Sequence, residues 1–267
     1  MRVCTSAFWN SYERSRVSGH SKWSTIKHKK GAADAKRGQL FTKLSKAIIV
    51  AAKEGGPDPA NNLSLQNAIE KARSYSMPKD NIDRAIARGA GTDADGAVYE
   101  TVVYEGYGPD GVAVLVEALT DNRNRTAADV RHLFSKHGGN LGTTGAVAWL
   151  FERRGLVLVD ADGADEDELT LAAAEGGADD VEADGSVFQV LSAPESLSAV
   201  REAIETAGIE VQSAELTMIA KTTVEIADES SAKKLIRLIE ALEENDDVQD
   251  VSANFDIPEQ MLEAVAS

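Results

Sequence analysis

Residues 155–218, GLVLVDADGADEDELTLAAAEGGADDVEADGSVFQVLSAPESLSAVREAIETAGIEVQSAELTM, decide the fold. GLVLVD (155–160) is an apolar run of strand length, and EDELTLAAAEGG (166–177) reads as a helix stopped by its two glycines. ADDVEA (178–183) and SVFQVLS (186–192) read as two more strands, ESLSAVREAIETAG (195–208) as a second helix and IEVQSAELTM (209–218) as a last strand. Strand–helix–strand–strand–helix–strand is the order of a ferredoxin-like unit, so this segment is complete in itself.

The flanks are not. YETVVYEGYGPDGVAVLVEAL (99–119) reads as two strands around the turn GYGPDG. RTAADVRHLFSKHGG (125–139) follows as a helix and GAVAWLFER (145–153) as a strand. That set has an open end. KTTVEIA (221–227), SAKKLIRLIEALEE (231–244) and VQDVSANFD (248–256) supply a strand, a helix and a strand on the far side of the complete unit. Two separate half-sheets would leave exposed edges, so residues 95–152 and 221–256 are expected to form one discontinuous domain. Residues 153–220 are then an acidic insert, and 257–267 a C-terminal tail.

Upstream the texture is helical. In ADAKRGQLFTKLSKAIIVAAKEGG (33–56), Leu40, Phe41, Leu44, Ala47, Ile48 and Ala51 share one face. The linker GGPDPANN leads to a second helix with Leu65, Ala68, Ile69 and Ala72 on one face, and Pro78 opens a third over KDNIDRAIARG. The predicted class is α+β: an N-terminal three-helix domain over 18–94, followed by two ferredoxin-like α+β domains, one inserted in the other. Residues 1–17 lack helical or strand period and an apolar signal core, and are expected to be a disordered extension or a mis-assigned start, with Val17 as the true first position.

Composition narrows function. The chain has 267 residues, 43% hydrophobic and 27% charged, as expected of a folded protein. No apolar run approaches the roughly 20 residues of a membrane helix. Cys4 is the only cysteine, which excludes an internal disulfide and a Cys-based zinc site and points to the cytoplasm. Net charge is −16, but unevenly spread. Residues 18–91 hold 14 Lys and Arg against six Asp and Glu, net +8, whereas residues 92–267 hold 11 against 37, net −26. A basic head on an acidic body suggests that the head meets a polyanion; a solvated helical surface is the plainer alternative.

The densest cations, Lys22, Lys27, Lys29, Lys30, Lys36 and Arg37, interleave with Trp23 and His28 and, with Lys43, are the first candidate nucleic-acid contacts. The second candidate is the turn Asn122, Arg123, Asn124, Arg125 between a strand and a helix, with Thr126 or a neighbour as N-cap. Amides, backbone N–H groups and two guanidinium forks at such a turn suit phosphate. A turn held by its own hydrogen bonds is the competing reading. Catalytic motifs fail. His132 and His137 are five apart rather than four with no Glu between, DADGADEDE (160–168) puts Gly163 at the wrong place for a calcium loop, and GHSKWST has no phosphate-loop frame. No catalytic residue, metal, cofactor or small-molecule substrate is expected.

SGHSKWSTIKHKKGAADAKRGQLFTKL (18–44), GGPDPANN (55–62), MPKDNIDRAIARG (77–89), YEGYGPDGVAVLVEALTDNRNRT (104–126) and FSKHGGNLGTTGAVAWLFERRG (134–155) closely resemble the YebC family. Its members are named probable transcriptional regulatory proteins, and its mitochondrial relatives are translational activators. The resemblance runs over residues 18–256 and implies three domains, no catalysis, and a role in gene expression through DNA or ribosomal RNA. Three readings follow. They are a transcriptional regulator binding DNA mostly through phosphates, a translation factor on the ribosome, and a protein-interaction adaptor without nucleic acid. The charge asymmetry argues against the third.

Overall fold

The computed structural model describes residues 34–91, 99–258, 261 and 262. Three helices form the head: α1 (Asp34–Gly55), α2 (Leu63–Ser74) and α3 (Lys79–Gly89). Their core is the set of apolar positions that share helical faces: Leu44, Ile48, Ala51, Leu65, Ile69, Ala72, Ile82 and Ala85. The α1–α2 link turns on one buried amide. Asn62 caps α2 by accepting the N–H of Leu65 at 3.0 Å, while its Nδ2 donates to the carbonyls of Ala51 and Gly56.

The second domain is built from β1 (Glu100–Tyr107), β2 (Ala113–Thr120), α4 (Arg123–Lys136) and β3 (Asn140–Leu141). The insert follows as β4 (Phe151–Asp160), α5 (Glu166–Glu175), β5 (Ala178–Asp184), β6 (Val187–Ser192), α6 (Leu197–Thr206) and β7 (Val211–Ala220). The chain then returns with β8 (Val224–Glu225), α7 (Glu229–Glu243), β9 (Val248–Ala253) and β10 (Phe255–Asp256). β9 pairs antiparallel with β2, which completes a sheet of order β3-β1-β2-β9, while β8 and β10 make a short parallel pair. The insert has sheet order β5-β6-β4-β7, all neighbours antiparallel, which is the ferredoxin-like arrangement. The fold is thus mixed α+β, with one sheet domain inserted in the other behind a helical head.

α4 and α7 lie on one face of the second domain's sheet, where Val130, Phe134, Leu235 and Ile239 meet Val102, Tyr104, Val114 and Val116. Two features depart from the sequence expectations. The strand expected over 145–153 forms only from Phe151 onward. Residues 148–150 make a 3-10 turn and β4 begins at Phe151, running unbroken through the expected domain boundary. The expected tail also starts too early, because Ile257 and Leu262 are fully buried in the second domain's core. β4 and β7 pair from Phe151 with Ala220 to Val159 with Val211, so the insert leaves the second domain as a continuous two-stranded ribbon.

Candidate nucleic-acid interface

The turn from β2 into α4 is a knot of side-chain hydrogen bonds. Asn122, in extended conformation, is the N-cap, accepting the N–H of Arg125 at 3.1 Å. Thr126, the named N-cap candidate, sits instead in the first helical turn and is buried. Its Oγ1 lies 2.8 Å from both Thr120 Oγ1 and Asp247 Oδ2. Arg125 places Nη2 2.8 Å from Asp121 Oδ1 and 2.8 Å from Asp247 Oδ2. Its fork is therefore engaged by two carboxylates, as the hydrogen-bonded-turn reading requires. Arg123 is turned outward: its side chain is 65% exposed, and its nearest carboxylate, Glu100, is 3.8 Å away. Asn124 is exposed beside it.

Asp247 joins this turn to the head. Lys46 of α1 donates to Asp247 Oδ1 at 2.9 Å and to the Asp246 carbonyl, and its ammonium lies 5.4 Å over the Tyr99 ring. Burial by itself would raise the Asp247 pKa, but the hydrogen bonds from Arg125, Lys46 and Thr126 together hold it far below the usual carboxylate range. Lys43 Nζ donates to the Glu243 carbonyl, and Gln39 Nε2 donates to the Glu244 carbonyl and to Asp246. A second seam joins the head to the insert. Lys71 lies 2.9 Å from Glu215, whose charge holds the lysine pKa well above its ordinary value. Burial pushes the neighbouring Tyr75 hydroxyl up to about 12. Beside this seam is a polar cleft of about 510 Å³ lined by Arg73 of the head and Arg201 of the insert.

Part of the head's positive charge is thus matched within the molecule. Of the predicted contacts, Lys43 and Arg125 are turned to acidic or carbonyl partners, Asn122 spends its side-chain oxygen on the cap, and Arg37 and Arg123 are exposed. Lys22, Trp23, Lys27, His28, Lys29 and Lys30, with the side chain of Lys36, lie outside the described residues.

One group of cations was missed by sequence reading. Arg131, Lys136, Lys234 and Arg237 are exposed, and none forms an ion pair with a carboxylate among the described residues. They lie on α4 and α7, which pack side by side over the sheet. His132 and His137 belong to the same surface. The His137 pKa is lowered first by burial and then by the positive charges of Lys136, Arg237 and His132. The four residues are spread over more than 100 positions of sequence, so no local charge run marks them. Among the described residues there is no group of three or more His, Cys, Asp or Glu that could hold a metal ion, and no helix is long and apolar enough to cross a membrane.

Two family models match the chain: the TACO1/YebC protein N-terminal domain over residues 21–92, and the TACO1/YebC second and third domain over 99–255. A probable transcriptional regulatory protein of Rubrobacter xylanophilus is 59% identical over 250 residues, covering 94% of this chain and all of that protein. A protein of the same description from Desulfotalea psychrophila is 57% identical over an equal span, 94% of this chain and 100% of the relative. Among solved structures, the conserved hypothetical protein Aq1575 of Aquifex aeolicus superposes with a TM-score of 0.76 at 51% identity, covering 84% of this chain and 92% of that one.

Proposed function

The chain belongs to the TACO1/YebC family, and on that premise we propose that it is a non-enzymatic, cytoplasmic regulator of gene expression that binds nucleic acid, with DNA as its first target. Its relatives' description as probable transcriptional regulatory proteins supports the regulatory role. The observation that carries the nucleic-acid reading is the distribution of unmatched cations. In a region of net charge −26, Arg131, Lys136, Lys234 and Arg237 gather on one helical layer instead of pairing with the abundant carboxylates. Such a surface attracts phosphates through charge and counterion release, with little reading of base edges. The head adds Arg37 and the dense cluster from Lys22 to Lys36.

Affinity of the full chain for a 30-base-pair duplex and for a structured ribosomal RNA fragment, titrated from 50 to 300 mM salt, tests this reading. Affinity should fall steeply with salt. Replacing Lys27, Lys29 and Lys30 together by Glu should abolish binding near physiological salt and flatten the logarithmic salt slope by about three units. Salt-independent binding, or an unchanged triple variant, would overturn it. The stronger of the two ligands assigns transcription or translation.

A further inference from the structure

Residues 142–150 cross the face of the second domain's sheet opposite α4 and α7, and a single carboxylate holds them there. Glu105 on β1, only 5% exposed, accepts the backbone N–H groups of Gly145 at 2.6 Å and of Val147 and Ala148 at 2.7 Å. These three bonds outweigh the cost of its burial and lower its pKa. Tyr107 Oη donates to the Ala146 carbonyl, and Gly142 N–H donates to the Glu105 carbonyl. Val147 and Phe151 pack beneath against Ala113, Leu115 and Ala220. The turn is held by these bonds, yet it leaves Trp149 66% exposed. This is the one aromatic among the large exposed apolar side chains of the described residues.

The indole is fixed as well as exposed, because its Nε1 donates to the Ala146 carbonyl at 3.1 Å. With its only donor used internally, the ring can recognise a partner through its face alone. The surroundings are polar and cationic. Thr143, Thr144 and Gly145 are exposed in the same turn. The Lys221 N–H bonds the Leu150 carbonyl at 2.8 Å, which places that exposed lysine beside the tryptophan turn. Arg153, four residues on, is exposed with its charge acting on Glu117, Glu152 beside it is exposed too, and Lys221 forms no ion pair with a carboxylate among the described residues. A lone exposed indole in a turn with exposed threonines is not the contiguous apolar patch that a protein partner would cover. It matches the combination of aromatic face and positive rim by which proteins hold unpaired nucleotides.

We propose that Trp149 is a stacking platform for an unpaired nucleobase, with Lys221, whose backbone N–H bonds the same turn, as the cation for the adjoining phosphate. The assignment rests on the nucleic-acid reading above and adds a preference for single-stranded segments. The full chain would be titrated with fluorescein-labelled U15, dT15 and a 15-base-pair duplex at 100 mM salt. Trp149→Ala should weaken binding to the single strands about 5- to 100-fold and leave duplex affinity and the salt slope unchanged. Trp149→Phe should retain binding within about threefold, since it keeps a π face, and both variants should melt with the wild type because the side chain is exposed. If the wild-type chain binds none of the three probes, the nucleic-acid reading itself fails. If it binds and Trp149→Ala binds U15 and dT15 equally well, the stacking assignment alone is overturned and the indole is left to a protein partner. An equal loss on the duplex also overturns it, because bases inside a duplex offer no free face. The stronger single strand identifies RNA or DNA.

Discussion

Asp247→Asn tests whether the head is clamped to the body by charge. The substitution keeps side-chain volume but leaves Lys46, whose side chain is 11% exposed, without a carboxylate and weakens the bonds to Thr126 and Arg125. Breaking one partner of a buried ion pair costs about 3–5 kcal/mol. The Arg125 contact is half exposed and screened by solvent, so it adds little. Since Asn still accepts one hydrogen bond, the expected loss at pH 7 is about 3 kcal/mol, or a fall in melting temperature of roughly 6–12 °C for a chain this long. The pH dependence has a definite direction. The folded pKa of Asp247 lies below its unfolded value of about 3.9. Its stabilisation is therefore complete above about pH 5 and fades as the pH falls through the folded value. Denaturant unfolding of both proteins from pH 3 to 8 should show a constant gap above pH 5 that narrows below pH 4, where the carboxyl takes up a proton in the unfolded wild-type chain while it stays ionised in the folded one. A double cycle with Lys46→Met should give a coupling above about 1 kcal/mol. A gap under about 0.5 kcal/mol at pH 7, or one that does not change with pH, would refute the clamp.

Arg123 and Arg125 should separate in function. Arg123→Ala is expected to weaken duplex binding while changing stability by less than about 0.5 kcal/mol. Arg125→Ala should instead lower the melting temperature with little change in affinity for the folded fraction, read from paired melts and binding isotherms. Gly106→Ala should destabilise the second domain by at least about 1–3 kcal/mol in chemical denaturation. A Cβ there would come within 2.6 Å of Phe134 and 2.8 Å of the Asn140 carbonyl.

What the sequence revealed and what it hid divide along the range of the interactions. The head helices were legible because Leu44, Ile48, Leu65 and Ile69 recur at helical spacing, a local signal. The insert was legible because its strands and helices alternate in a recognisable order. The stretch 145–150 misread as strand because AVAWLF looks apolar. Its backbone N–H groups go to Glu105, about 40 positions away, and no local pattern announces that partner. Arg125 read as a phosphate ligand for the same reason: a carboxylate that holds it lies 122 residues downstream in NDDVQD, a stretch that resembles a solvated acidic turn while one of its three aspartates, Asp247, is buried. Sequence located the Asn122–Arg125 turn as a special place, but the geometry divides its residues between cap, clamp and exposed cation.

The β4–β7 ribbon bears on the order in which the chain can fold. The two halves of the second domain are separated by the whole insert, and β9 must find β2 across more than 100 positions of sequence. Pairing of Phe151 with Ala220 brings the ends of that insert to neighbouring strands. Once the insert has closed, the loop to be gathered when β9 docks is shorter by roughly 70 residues, about half, which relieves the later step of about 0.6 kcal/mol of loop-closure entropy. The insert is thereby an internal staple. It is synthesised between the two halves it joins, and its closure before β9 docks would shorten the search for β2.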